Sequence, residues 1–261
     1  AIMESKNEHI IVERRGTGLI LTLNRPQVRN ALHPPAHDEL SRAFDRLEAD
    51  DSVHYAVVTG AGDKAFCTGS DLKFRAETGE TYIPPMGFAG LTERFGLDKP
   101  VIAAINGDAV GGGMEIVLAC DLAIAVKGAR FGFPEPKVGL AASGGLHRLI
   151  RQIPTKFAMQ IALKSELFSA GEALALGLVN AVVEPQELND EIDKLIQTLE
   201  ANAPLSLRAT KQMMLAGLDE PSLEAAFAGS YPAYETMLAS EDAVEGPLAF
   251  SQKRKPKWRA R

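Results

Sequence analysis

The stretch VIAAINGDAVGGGMEIVLACD, residues 101–121, decides the fold class, because it passes from strand to glycine turn to helix. Its first five residues are an apolar, β-prone run that ends in turn residues. The triplet Gly111-Gly112-Gly113 follows and leads into Met114 to Cys120, which continues as a buried helix. The first N–H groups of a helix have no intrahelical partner, and the helix dipole adds partial positive charge there. The sequence therefore predicts a backbone cradle for a developing oxyanion, which glycine lets a ligand approach closely.

Two carboxylates accompany this turn. Glu115 lies in the first turn of the predicted helix, and Glu135 lies between Pro134 and Pro136. Paired carboxyl groups beside an oxyanion cradle suggest acid/base chemistry on a carbonyl compound. Alternatively, both residues have no catalytic role: Glu115 complements the helix dipole, and Glu135 is an ordinary loop carboxylate.

A second glycine-containing turn, Thr68-Gly69-Ser70-Asp71, comes after the apolar segment Tyr55 to Gly60, which we predict to be a buried strand. This turn is placed to supply an opposing N–H donor. The Asp71 side chain is expected to accept hydrogen bonds from nearby amides and so hold the turn, as aspartates do at helix starts.

Strands and helices alternate through most of the chain, which predicts an α/β core followed by a helical extension. The apolar patterns predict strands at 9–14, 18–24, 54–59, 101–105 and 122–126. They predict helices near 36–50, 113–120, 143–151, 156–163 and 170–176, and further helical segments around 186–201, 205–217 and 222–238.

These motifs, in this order, resemble the crotonase, or enoyl-CoA hydratase/isomerase, superfamily over nearly the whole chain. The resemblance is carried by FCTGSDLK (66–73), KPVIAAINGDAVGGGMEIVLACD (99–121), FGFPEPKVGL (131–140), the early LNRP and NAL, and ALALGLV (173–179). It implies an α/β fold in which repeated ββα units form a spiral, with residues 1–200 as the core. Residues 201–261 are then a C-terminal helical region for oligomerisation and pocket closure, and the expected assembly is a homotrimer or homohexamer.

The resemblance also implies the site. The backbone N–H groups of Ser70 and Gly112 would form an oxyanion hole for an acyl-CoA thioester carbonyl, with Asp71 and Leu72 beside the substrate. Glu115 would deprotonate a water that attacks Cβ of a trans-2-enoyl-CoA, while Glu135 protonates Cα. Hydratases of the family carry glutamates at both positions, so the expected enzyme is an enoyl-CoA hydratase, a lyase of fatty-acid metabolism. Coenzyme A is part of the substrate, and we expect no separate cofactor.

Several alternatives stay open. A Δ3,Δ2-enoyl-CoA isomerase using mainly Glu135, an acyl-CoA hydrolase and a non-catalytic acyl-CoA-binding member share the same motifs. GFAGLTE (87–93), LDKP (97–100) and EDAVEGPLAF (241–250) resemble the carnitinyl-CoA dehydratase branch. Ser70 stands where a bulky aromatic is expected in that branch, which weakens the case for an aromatic box around a quaternary ammonium. The segment Glu77 to Asp98 is the expected mobile, substrate-defining loop.

Basic residues are candidates for contacts with CoA phosphates. Arg25 and Arg29 lie in an early turn, and Lys257 lies in the basic C-terminal tail, although each is equally typical of a solvated surface residue. The net charge of −6 argues against a general nucleic-acid-binding surface, so no nucleic acid is expected as a partner.

The remaining composition predicts a cytoplasmic enzyme without a metal. Cys67 and Cys120 form no CxxC pair, which suits a reducing compartment, and Cys67 lacks the context of a nucleophile. His33 and His37 have helical ligand spacing but enclose two prolines, and no cysteine cluster accompanies them, so no metal site is predicted. No apolar run reaches the length of a membrane span, so no membrane association is expected, and a removed transit peptide stays an open alternative.

Overall fold

The computed structural model describes residues 8–261, which contain ten strands and eleven α-helices. The strands are β1 (Ile10–Arg15), β2 (Gly18–Leu23), β3 (Tyr55–Gly60), β4 (Ala65–Cys67), β5 (Val101–Ile105), β6 (Asp108–Val110), β7 (Leu122–Val126), β8 (Arg130–Gly132), β9 (Phe168–Ser169) and β10 (Ala181–Val183). The helices are α1 (Pro34–Ala49), α2 (Leu72–Thr78), α3 (Gly112–Ala119), α4 (Leu146–Gln152), α5 (Thr155–Lys164), α6 (Ala170–Ala175), α7 (Leu188–Glu200), α8 (Pro204–Leu218), α9 (Leu223–Ala228), α10 (Pro232–Leu238) and α11 (Glu241–Ser251).

The strands form two sheets, and the chain visits them alternately. The larger sheet has the order β1-β2-β3-β5-β7-β10, and the smaller has the order β4-β6-β8-β9. Three consecutive units, β3-β4-α2, β5-β6-α3 and β7-β8-α4, each place one strand in each sheet before a helix. Strands β3, β5 and β7 are parallel neighbours, as are β4, β6 and β8. This arrangement is the predicted spiral of ββα units.

The core forms where the larger sheet meets the helices that cover it. Helix α1 begins with two prolines, which suit the first helical turn because their missing N–H groups have no intrahelical acceptor there. Its face bearing Leu40, Phe44 and Leu47 is fully buried, as expected for an amphipathic surface helix. Helix α3 is buried on nearly every side, which explains why its sequence is apolar throughout apart from Glu115.

The sequence prediction matches the five longest strands and most helices, but it missed helices α2 and α11 and the five shortest strands. All five predicted strands, helix α1 and the helices from α3 to α8 are present with shifts of a few residues at their ends. Strands β4, β6, β8, β9 and β10 have only two or three residues each, too few to show a periodic pattern. The single helical segment predicted at 222–238 is two helices, since the chain leaves helical geometry at Gly229 and α10 restarts at Pro232.

The C-terminal helices begin with α8, which charged side chains fasten to the core. Arg208 pairs with Asp98 at 3.0 Å, and Lys211 pairs with Asp121 at 2.7 Å. Beyond α8, large apolar side chains stay exposed, including Phe227 at 84% and Phe250 at 86%. Exposed apolar surface of this kind is typical of an interaction face. The oligomerisation role and the boundary at residue 200 stay predictions.

Within residues 8–261, no helix combines the length and the apolar composition that crossing a bilayer requires.

Candidate active site

The smaller sheet brings the predicted site together. Ser70 follows β4, Gly112 follows β6 and Glu135 follows β8, so the three occupy the same junction in successive ββα units. Cys67 on β4 lies opposite Ala109 on β6, after a register shift between Ala65 and Cys67, and Ala109 lies opposite Phe131 on β8. Because neighbouring parallel strands end at the same edge of a sheet, these junctions lie side by side. Residues separated by about 65 positions in sequence therefore share one site, as parallel crossover topology allows.

The Gly112 turn packs closely against its neighbours because three consecutive residues have no side chain. Gly111 has φ 59° and ψ −125°, which side-chain-bearing residues rarely adopt. A methyl group on Gly112 would overlap the Phe88 ring, and one on Gly113 would overlap the carbonyl oxygen of Cys67. As the first residue of α3, Gly112 has no intrahelical acceptor for its N–H. This N–H is therefore available as an oxyanion donor at the positive end of the helix dipole.

The Ser70 turn packs directly on the Gly112 turn. A Cβ on Gly69 would lie 2.9 Å from the Gly112 nitrogen. The N–H of Leu32 donates to the Gly69 carbonyl at 2.8 Å, and the N–H of Asp71 donates to the Leu32 carbonyl at 2.9 Å. These two bonds use Gly69 and Asp71, the residues on either side of Ser70. In an extended chain, the N–H of Ser70 therefore points away from Leu32. The Ser70 N–H is thus free to act as the second donor.

A buried ion pair between Arg25 and Asp71 holds the Ser70 turn in place. Arg25 donates to Asp71 at 3.0 Å and to the Ala31 carbonyl at 2.5 Å, and both charged side chains are nearly inaccessible to solvent. The other Asp71 oxygen accepts the Phe74 N–H at 3.0 Å, so Asp71 caps α2 as predicted. Burial alone would raise the pKa of Asp71, but the Phe74 N–H and the Arg25 guanidinium outweigh it, and the pKa is lowered. The supporting role of Arg25 was not predicted.

Glu115 is buried on α3 and carries a perturbed pKa. Its side chain points toward the Gly144-Gly145 backbone, where a methyl group on Gly144 would overlap Oε2. Burial raises the pKa of Glu115 to about 7, and the neighbouring charge of Glu135 adds to this effect. The Gly144 N–H and the Arg148 guanidinium oppose the rise. A carboxyl group with a pKa near neutrality can both accept and release a proton under ordinary conditions.

Glu135 lies against the start of α3. A Cβ on Gly111 would be 2.8 Å from Glu135 Oε1, so the absence of a side chain at Gly111 makes room for this carboxyl group. Oε2 is buried and has no hydrogen-bond partner among residues 8–261. Burial raises the pKa of Glu135 as well. Two carboxyl groups shielded from solvent beside one helix start disfavour the state in which both are ionised.

The other predicted substrate contacts occupy different environments. Leu72 is the first residue of α2 and is partly exposed. Arg25 is engaged by Asp71, whereas the Arg29 side chain is 57% exposed and its nearest acidic partner, Asp108, is 4.0 Å away. Lys257 is exposed in the C-terminal tail, where its backbone N–H donates to Glu245 at 2.8 Å. Their contacts with CoA stay predictions.

Two nearby groups have structural roles. Cys67 is fully buried, its sulfur accepts the Gly69 N–H at 3.4 Å, and burial raises the pKa of its thiol to about 12. It therefore helps to shape the Ser70 turn and is a poor nucleophile. His37 accepts the Ala89 N–H at 3.0 Å through Nδ1 and packs edge-on against Phe88. Burial lowers the pKa of His37 to about 4, so it is neutral at pH 7.

Sequence comparison assigns this arrangement to a family. A family model described as enoyl-CoA hydratase/isomerase matches residues 14–261. The chain belongs to this family, the crotonase superfamily. Carnitinyl-CoA dehydratase of Escherichia coli K12 is 41% identical over 98% of this chain and the whole of that protein. The family accounts for the shared ββα spiral and assigns an enzymatic activity of the enoyl-CoA hydratase/isomerase type.

Solved structures of crotonase-superfamily proteins agree with the fold. An enoyl-CoA hydratase from Mycobacterium marinum superimposes with a TM-score of 0.90 at 40% identity, covering 97% of this chain and 99% of that one. A carnitinyl-CoA hydratase from Mycobacterium avium has a TM-score of 0.77 at 41% identity, with the same coverage of both chains. The predicted crotonase fold is thereby confirmed.

Proposed function

We propose that this crotonase-superfamily enzyme adds water reversibly across the 2,3 double bond of a trans-2-enoyl-CoA thioester. The observation that carries the proposal is the pair of glutamates beside the Gly112 turn: Glu115 is buried on α3, and Glu135 is partly buried with Oε1 against Gly111. Both carboxyl groups have raised pKa values, which suits a site that must take up one proton and deliver another.

Each group then has one task. The thioester carbonyl oxygen accepts hydrogen bonds from the N–H groups of Ser70 and Gly112, which stabilise the negative charge of the enolate. Glu115, ionised, removes a proton from water as the water oxygen bonds to Cβ. The electron pair of the double bond moves toward the carbonyl, and Glu135 gives its proton to Cα. The reverse sequence is dehydration, and coenzyme A remains attached throughout.

A second candidate is dehydration of carnitinyl-CoA, a reaction of the same class on a substrate bearing a quaternary ammonium. It is favoured by the 41% identity with Escherichia coli carnitinyl-CoA dehydratase over nearly the full length of both chains. The two candidates share Glu115, Glu135 and the oxyanion hole, and differ only in what lies beyond Cβ of the acyl group.

The test is mass spectrometry of a panel of enoyl-CoA thioesters, including crotonyl-CoA and crotonobetainyl-CoA, with wild type, Glu115→Gln and Glu135→Gln. We expect addition of one water by wild type and a loss of about a hundred- to ten-thousandfold in each variant. The preferred thioester separates the two candidates. An isomerised thioester of unchanged mass, free CoA thiol or bound but unchanged thioester would instead indicate an isomerase, a hydrolase or a binding protein.

A further inference from the structure

Thr92 has a buried hydroxyl group for which the protein supplies no partner. The residue lies between α2 and β5 and is 2% exposed, and its Oγ1 makes no hydrogen bond within residues 8–261. Its backbone is satisfied, since its N–H donates to the Phe88 carbonyl at 3.2 Å. Leaving a buried hydroxyl unpaired is destabilising, so a hydroxyl in this state points to a ligand that completes it.

The hydroxyl group lies beside the carboxylate of Glu115. A Cβ built on Gly144 would lie 3.4 Å from Thr92 Oγ1 and would overlap Glu115 Oε2. Both oxygen atoms therefore lie against the same face of the Gly144 backbone. The hydroxyl group also lies against Gly87, where a Cβ would overlap Oγ1. Because Gly87 and Gly144 have no side chains, there is room for the Thr92 hydroxyl group beside Glu115.

Charged side chains hold Thr92 in place. Arg148 on α4 donates to the Thr92 carbonyl at 2.5 Å, which ties this segment to the helix that follows Gly144 and Gly145. Two residues further on, the buried guanidinium of Arg94 donates to the Gly90 carbonyl at 2.7 Å and to Asp45 and Glu48 on α1. The segment expected to be a mobile loop is therefore packed and anchored from Phe88 to Arg94.

We propose that the Thr92 hydroxyl binds the oxygen atom that is added to Cβ, sharing it with Glu115. This inference rests on the proposed hydration reaction. In hydration the atom is the water oxygen, and in dehydration it is the hydroxyl oxygen of the substrate. Thr92 hydrogen-bonds to this oxygen without gaining or losing a proton: one water proton passes to Glu115, the oxygen bonds to Cβ, and Glu135 protonates Cα. Thr92 is thus a contact for the added water and has no role in proton exchange at Cα.

The test compares wild type, Thr92→Val and Thr92→Ser in two assays. One is hydration of crotonyl-CoA, with kcat and KM measured separately. The other is exchange of the α-hydrogens of butyryl-CoA in D2O, which needs Glu135 and the oxyanion hole but adds no water. Thr92→Val should lower kcat for hydration about tenfold or more and leave exchange unchanged, whereas Thr92→Ser should remain within a few-fold of wild type. The Tm of Thr92→Val should equal or exceed that of wild type, because valine removes an unpaired hydroxyl.

Each other outcome has a distinct meaning. Full hydration activity in Thr92→Val would overturn the role of Thr92 and leave the proposed function intact. Equal losses in hydration and exchange would also overturn it, since they would show a general disturbance of the site. Failure of wild type to add water to any thioester of the panel would overturn the hydratase proposal, and this inference with it.

Discussion

The Gly112 turn and the Ser70 turn occupy the same place in successive ββα units, yet different contacts hold them. The Gly112 turn depends on local absence of side chains, because Phe88, Cys67 and Glu135 fill the space that side chains on its glycines would need. The Ser70 turn depends on side chains from far along the sequence, namely Arg25 bonded to Asp71. One oxyanion donor is therefore positioned by packing and the other by a buried ion pair.

The largest effect is expected where packing leaves no room. Gly113→Ala places a methyl group on the Cys67 carbonyl oxygen, and both partners are backbone-anchored, so neither can move away cheaply. We expect a loss of at least about 3 kcal/mol in the free energy of unfolding, measured by urea denaturation. Gly128→Ala is the matched control, since a Cβ there meets nothing within 4 Å. Equal stability of the two variants would show that the Gly112 turn is not held by packing.

Breaking the ion pair should have the next largest effect. Arg25→Met leaves the Asp71 carboxylate buried without its partner, and we expect a cost of about 3 kcal/mol together with reduced hydration. Asp71→Asn should behave similarly, and the double variant should lose less than the sum of the two, because the residues act through one contact.

The same variant tests the alternative role of Arg25 as a CoA contact. A residue that binds the nucleotide would change KM for crotonyl-CoA and leave KM for a crotonyl-pantetheine thioester unchanged. If Arg25→Met has normal stability and shows this selective change in KM, the ion pair does not hold the Ser70 turn.

The pH dependence of stability should have opposite signs at the two turns. Glu115 has a folded pKa of about 7, above its ordinary 4.5, so the folded state keeps a proton that the unfolded state has lost. The contribution of Glu115 to the free energy of unfolding therefore falls as the pH rises from 4.5 to about 7. The free energy of unfolding of Glu115→Gln should therefore rise by about 3 kcal/mol relative to that of wild type between pH 4.5 and pH 8, measured by urea denaturation at each pH. A difference between the two proteins that stays constant with pH would contradict the raised pKa.

Asp71 provides the contrast for this measurement. Its pKa is lowered in the folded state, so its contribution to stability is present above its ordinary pKa of 3.8 and is lost as pH falls through the folded value. Asp71→Asn should accordingly be most destabilising near neutral pH and approach wild type only in strong acid.

The sequence was most informative where the chain makes its own local pattern. The strand, glycine turn and helix at residues 101–119 follow from apolar runs and turn residues within one short segment. Asp71 is recognisable as a helix cap because its carboxylate accepts the N–H of Phe74, only three residues further along the chain. The short strands β4, β6 and β8 were missed because three residues are too few to show a periodic pattern, although these strands bring the site together.

Neighbouring residues in a characteristic order are enough to identify the family, the α/β class, the two glutamates and the two turns. The contact of Arg25 with Asp71, and the meeting of Thr92 and Gly144 beside Glu115, arise only when the chain folds. These contacts join segments that are distant along the chain. They depend on the register of the parallel strands and on which side chains are absent at closely packed glycines, and neither is visible in a local pattern.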